Sequence, residues 1–122
     1  MGARGVNNFM AKIRMIVLNV KDQPGSVAEA ISSLADAGVN VKSVFGWAPD
    51  GVVQLTVDDM RKATKALRAS GTDFVETKAE IAELADKPGT LLAYLAKLAK
   101  KGVNLRSIAA TDGKTVVWTA AG

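Results

Sequence analysis

Asp22-Gln23-Pro24-Gly25-Ser26 returns 64 residues later as Asp86-Lys87-Pro88-Gly89-Thr90, and Gly38-Val39-Asn40-Val41-Lys42-Ser43 returns as Gly102-Val103-Asn104-Leu105-Arg106-Ser107. Between residues 22 and 44, nine of 23 positions are identical at this constant shift. Average composition gives about one or two by chance. The 122-residue chain therefore reads as a duplicated unit. A unit of about 60 residues buries only roughly 60% of its unfolded surface, so two such units are expected to pack on each other or on a second chain.

Outward from these motifs, both copies read alike. Ile13 to Val20 is β-branched and apolar, which predicts a strand. Pro24 and Gly25 break it, and a helix is expected from about Pro24. Val27, Ile31 and Leu34 recur at i, i+4 and i+7, as do Leu91, Leu95 and Leu98, which predicts one apolar face in each copy. Ser26 with Glu29 has the pattern of a capping box, and Thr90 is expected to cap likewise. Gly38 and Gly102 stop the helices. Second strands follow at Val39 to Phe45 and Val103 to Ala109, hairpin signals at Asp50-Gly51 and Asp112-Gly113, and third strands at Val52 to Val57 and Thr115 to Ala120.

The first copy continues with a second helix, capped by Asp58 or Asp59, that turns Met60, Ala63 and Leu67 inward and ends at Gly71. A fourth strand starts at Phe74. The fold class is α+β, and the order is the ferredoxin-like β-α-β-β-α-β. Ala, Glu and Lys in Val75 to Ala85 favour helix. The repeat instead lays Thr77 to Leu84 on the strand Ile13 to Val20, which predicts one long strand, or two joined strands, from Asp73 to Leu84. The expected organisation is a disordered leader over 1–11, a first module over 12–78 and a second over 79–122 that is truncated after its third strand. That truncation predicts an unpaired edge on Ala79 to Leu84, covered by a symmetric homodimer or by the N-terminal segment folding back.

Composition excludes several chemistries. The chain has no Cys and no His, hence no thiol nucleophile, disulfide, Cys/His zinc site or imidazole base. Neither a nucleophile–base pair nor a phosphate loop is present, and no cofactor is called for. No apolar run approaches the ~20 residues of a membrane span, and the reading is a cytoplasmic protein that is not an enzyme. The net charge of +4 permits nucleic-acid contact without demanding it.

The Asp-x-Pro-Gly motif places a carboxylate, an unobstructed glycine and the unpaired N–H groups of a helix start together. Those amides suit a small carboxylate. Asp22 or Asp86 can accept from an ammonium group, and Asn40 or Asn104 offers both a donor and an acceptor. A carboxylate and an ammonium on one carbon describe an α-amino acid. Turn chemistry alone also explains each of these residues, and duplicating a fold duplicates its turns.

Asp-x-Pro-Gly-[Ser/Thr], a helix, then Gly-Val-Asn-[Val/Leu]-[Lys/Arg]-Ser resembles the ACT domain, a regulatory module of amino-acid metabolism, over residues 13–78 and in part over 79–122. The resemblance implies a β-α-β-β-α-β fold in tandem and a free amino acid bound as allosteric effector where two ACT units meet. It implicates Asp22, Pro24, Gly25, Ser26 and Asn40, and in the second copy Asp86, Pro88, Gly89, Thr90 and Asn104. A homodimer and a partner enzyme or regulator are the implied associations. A ligand-free assembly module and a ferredoxin-like nucleic-acid binder are the competing readings. The second would use the basic stripes Arg61, Lys62, Lys65, Arg68 and Lys97, Lys100, Lys101, which as helix exteriors also read as solvated faces. Phe45 and Phe74 read as core, and Trp47 and Trp118 as packing or interface residues.

Overall fold

Alternation of apolar and polar residues builds long strands here, and glycine stops every helix. The computed structural model describes residues 7–21, 23–47, 51–111 and 114–120. Its elements are β1 (Asn7–Asn19), α1 (Ser26–Asp36), β2 (Val41–Trp47), β3 (Val52–Val57), α2 (Met60–Ser70), β4 (Asp73–Leu84), α3 (Thr90–Lys100), β5 (Leu105–Thr111) and β6 (Thr115–Ala120). They form two units: Arg14–Thr77, and the residues up to Ile13 together with those from Lys78 on.

In the first unit the strand order is β2-β3-β1-β4. β1 and β3 are antiparallel with Ile16 opposite Leu55, and β2 and β3 are antiparallel with Phe45 opposite Gln54. One face of this sheet packs on α1 and α2 around Ile16, Leu18, Ala30, Leu34, Leu55, Ala63 and Leu67. Phe74 packs on this core and carries the Arg68 guanidinium over its ring, 5.7 Å from the centroid.

The inward face of α1 differs from the expected one. Ala30 and Leu34 are buried, Ile31 is half-buried, and Val27 is 40% exposed. Leu91 matches it at 40% in α3, where Tyr94 and Leu98 are buried. Both residues lie in the first turn of their helix, so the i, i+4, i+7 pattern extends beyond the buried face it was taken to fill.

In the second unit the order is β1-β4-β6-β5. β6 is antiparallel to both neighbours, with Ala82 opposite Val116 and Ile108 opposite Trp118. The strand beside β4 is the first part of β1, which corrects the expected disordered leader and, of the two expected covers for the Ala79–Leu84 edge, is the N-terminal segment folding back and not the homodimer. From Asn7 the residues are strand, and the segment Ala79–Leu84 is flanked by β1 and β6. The physical reason is the edge itself, whose free N–H and C=O groups are satisfied by a segment with little β propensity of its own. β4 is one strand of 12 residues, so strand pairing overrides its helical composition.

Among the described residues the second unit has one helix where the first has two, and bulkier side chains stand in its core. Ala30 is matched by Tyr94 and Leu55 by Trp118. The Trp118 Nε1–H donates to the Tyr94 hydroxyl at 2.6 Å. Both rings are buried with Ala82, Leu84, Leu98 and Val116.

The motif Gly-Val-Asn-x-[Lys/Arg]-Ser has a structural account in both copies. Gly38 and Gly102 are left-handed (φ 79° and 80°), and the next residues, Val39 and Val103, donate back to Leu34 and Leu98. A register break then falls between Val41 and Ser43, and again between Leu105 and Ser107. Beside each break the two hydroxyls, Ser43 with Thr56 and Ser107 with Thr119, bond at 2.5 Å and pin the edge strand.

Two outcomes test this packing. Removing residues up to Ala11 strips β4 of a neighbour, and its amides from Ala79 to Leu84 are expected to exchange with deuterium at least about tenfold faster than those of β3. Replacing Tyr94 with Phe leaves a buried indole N–H without its acceptor and is expected to destabilise the chain by about 1–3 kcal/mol in urea unfolding. Burial pushes the Tyr94 hydroxyl above its ordinary pKa. That stabilisation is intact below the unfolded tyrosine value of about 10 and is lost as pH rises beyond it; Tyr94→Phe is expected to flatten that decline.

Candidate functional site

Each copy carries a turn of the same construction. Ser26 N–H donates to Gln23 O (3.3 Å) and Thr90 N–H to Lys87 O (3.2 Å). The intervening glycines are left-handed, Gly25 at φ 87°, ψ −10° and Gly89 at φ 86°, ψ −12°. Proline then glycine at the two central positions with these angles is a type II turn. Pro24, Gly25, Pro88 and Gly89 are exposed there, and Ser26 and Thr90 are half-buried.

The glycines, not the hydroxyl residues, are the N-caps. Gly25 and Gly89 cap α1 and α3, and no side-chain hydrogen bond closes either cap. The expected capping box of Ser26 and Glu29 is therefore replaced, because the type II turn already fixes the main chain and puts Ser26 and Thr90 one position inside the helix. Among the described residues, the amides of Val27 and Ala28 and those of Leu91 and Leu92 make no hydrogen bond. Asp59, by contrast, caps α2 by accepting from Lys62 N–H at 3.0 Å. The cap on α2 meets one donor, Lys62 N–H, whose equivalents in the two motif helices, Ala28 and Leu92 N–H, are left unfilled.

A Cβ built on Gly25 or Gly89 meets nothing within 4 Å, so each turn opens outward. Both glycines nevertheless lie in the left-handed region, where any other residue is strained. A Gly25→Val exchange would thus disturb the turn as well as any ligand, and the open space makes the first helical turn a better place to intervene.

Asp86 sits exposed at the apex of a tight bend in which Lys87 N–H donates to Ala85 O at 2.9 Å. Its repeat partner Asp22 lies outside the described residues; its neighbours make the same bond, Gln23 N–H to Lys21 O at 2.9 Å.

Asn40 stands elsewhere. Its N–H donates to Asp58 Oδ1 (3.0 Å) and its carbonyl accepts from Asp58 N–H (3.1 Å), tying the start of β2 to the end of β3. That point follows the C-terminus of α1, and 11 helical residues separate it from Gly25 by about 16 Å. The first unit brings Gly25, Ser26 and the two free amides together and leaves Asn40 at the far end. Asn104 is likewise exposed beyond the C-terminus of α3.

The reading of the sequence missed the exposed apolar residues that accompany these loops. Val27, Leu91 and Leu92 lie in the first helical turns, with Leu92 72% exposed, and Val44 and Ile108 lie at matching positions of the edge strands β2 and β5. The repeat held the signal, since Val27/Leu91 and Val44/Ile108 are apolar in both copies. Among the described residues no cluster of acidic side chains could hold a metal ion, and no helix is long and apolar enough to cross a membrane.

No sequence-family model and no curated protein sequence matches the chain. Solved structures do. A protein from Bacteroides thetaiotaomicron is 23% identical with a TM-score of 0.77, over 93% of this chain and 81% of that one. The ligand-free regulatory subunit of aspartate kinase from Thermus thermophilus is 20% identical with a TM-score of 0.68, over 93% of this chain and 86% of that subunit. Aspartokinase III from E. coli, solved with lysine and aspartate in its T-state, is 14% identical with a TM-score of 0.61, and the match spans 93% of this chain but 29% of that enzyme. The chain has the ACT-type fold of the regulatory domains of aspartate kinase.

Proposed function

We propose that this protein is a regulatory module that binds a free α-amino acid at its glycine-capped helix starts and passes the binding signal to a partner enzyme. The observation that carries this reading is the repetition of an open first turn, closed by no side-chain hydrogen bond, in both copies, with two unfilled amides in each. The α-carboxylate accepts from those amides, aided by the helix dipole. The ammonium group faces the motif aspartate, Asp22 or Asp86. The ligand side chain meets Val27 in one copy and Leu91 and Leu92 in the other, all exposed. Aspartokinase III solved with lysine and aspartate supports an amino acid as effector on this fold.

The distance between Gly25 and Asn40 supports a site completed by a second chain, with the loop from one copy and the asparagine from another. The edge strands β2 and β5 end their sheets and carry exposed Val44 and Ile108, which supports a homodimer formed along an edge. A ligand held between two chains binds one packing better than another and shifts the population toward it. A cytoplasmic location fits such a partner. The same exposed apolar residues also favour a second reading, an assembly module that dimerises without a ligand.

Calorimetry with each proteinogenic amino acid separates the two readings. The regulatory reading expects saturable binding of at least one amino acid with a shift in the dimerisation constant; dimerisation with no heat from any of them leaves the assembly module. Ala28→Asp with Leu92→Asp places a carboxylate on the free amides of each helix. The melting temperature is expected to hold or rise, through about 0.3–1 kcal/mol of dipole and capping stabilisation, while amino-acid affinity falls about tenfold or more through repulsion of the ligand carboxylate. Undiminished affinity would remove these amides from the site. Val44→Lys with Ile108→Lys is expected to make the chain monomeric in sedimentation equilibrium; a persistent dimer would place the interface elsewhere.

A further inference from the structure

We propose that the outer face of α2 docks an acidic surface of a protein partner. α2 turns Ala63, Thr64 and Leu67 into the core, with Met60 and Ala66 packed beside them. Arg61, Lys62, Lys65 and Arg68 are all exposed on the other side, and the helix contains no acidic residue. Arg61, Lys65 and Arg68 follow the i, i+4, i+7 line, a straight row about 10 Å long.

Arg68 has a place within the chain, over the Phe74 ring and in the last turn of α2, but among the described residues nothing explains Arg61, Lys62 and Lys65. Like charges at i, i+3 and i+4 repel. Arg61 and Lys62 sit in the first turn, where the helix dipole disfavours cations. The adjoining carboxylates are engaged with the main chain, Asp58 accepting from Asn40 N–H and Asp59 from Lys62 N–H. The one ion pair among the described residues, Arg14 with Glu76 at 3.0 Å, lies outside α2. α3 gives the contrast, since its Lys97 and Lys100 fall in the last turn, where the dipole favours them. The cations of α3 and Arg68 of α2 thus sit where the dipole favours them, whereas Arg61 and Lys62 oppose it and, with Lys65, repel one another.

A row of carboxylates at helical spacing on a partner protein complements this face. A nucleic-acid strand fits it less well: single strands are held by basic grooves with exposed aromatic platforms, and no described aromatic side chain here is exposed. The Phe74 ring already lies under Arg68. The row shares no residue with the loops that begin α1 and α3, so it stands whether or not those loops bind an amino acid.

Fluorescence anisotropy with a labelled oligoglutamate peptide, and with a labelled single-stranded oligonucleotide of the same charge, tests the proposal on the full chain. The peptide is expected to bind in a salt-dependent way and to lose at least about tenfold in affinity on Arg61→Glu with Lys65→Glu, while Lys97→Glu with Lys100→Glu changes it less than about twofold. Equal losses from both pairs would mean a general charge effect and would overturn the proposal, as would tighter binding of the oligonucleotide. The neutral pair Arg61→Gln with Lys65→Gln is expected to melt at the same or a higher temperature. A clear fall would show that the row stabilises the fold and is not kept for a partner.

Discussion

A sheet strand must have its main-chain donors and acceptors met, and this requirement governs β4. The strand closes the first repeat and opens the second within 12 unbroken residues. Its first part completes the ferredoxin-like order of the first unit. Among the described residues, its second part pairs with β6 on one side and needs a neighbour on the other. The early part of β1 fills that side. The two-unit organisation follows, with each unit formed from a different portion of the same two strands.

The units differ in how they close over their sheets. The first uses two helices and a core rich in Leu, Ile and Val. The second uses one helix and two aromatic rings joined by a buried hydrogen bond. Duplication therefore preserved the loops and glycine stops while the cores diverged, as expected when turn geometry tolerates few residue types and cores tolerate many. The loops are also the place to look for function, since they open outward at Gly25 and Gly89 and present donors that the fold leaves unused.

Much of this was legible in the sequence because the repeat could be read against itself. The constant shift identified β4 as strand against its own composition, and Val52–Val57 and Thr115–Ala120 begin and end where alternation placed them. The role of residues 7–13 was not legible, because Asn7-Asn8-Phe9-Met10 has no pattern of its own and its strand state is imposed by a partner more than 60 residues away. The burial of Ala30 in place of Val27 was hidden for another reason: helical period alone does not tell where a sheet ends beneath a helix. Part of the candidate site was legible as chemistry but not as placement within one unit. Pro-Gly and the free amides belong together, whereas Asn40 is held by Asp58 at the other end of α1.

The strand arrangement of the second unit also sets a timetable for synthesis. Residues 7–13 leave the ribosome first among the described strands, yet the segment they pair with is made about 65 residues later, which at 5–20 residues per second is roughly 3–13 seconds. The first unit has all its residues well before the second does. During that interval the leading strand waits unpaired, and its two asparagines and Lys12 dilute an apolar run that would otherwise invite pairing with another nascent chain.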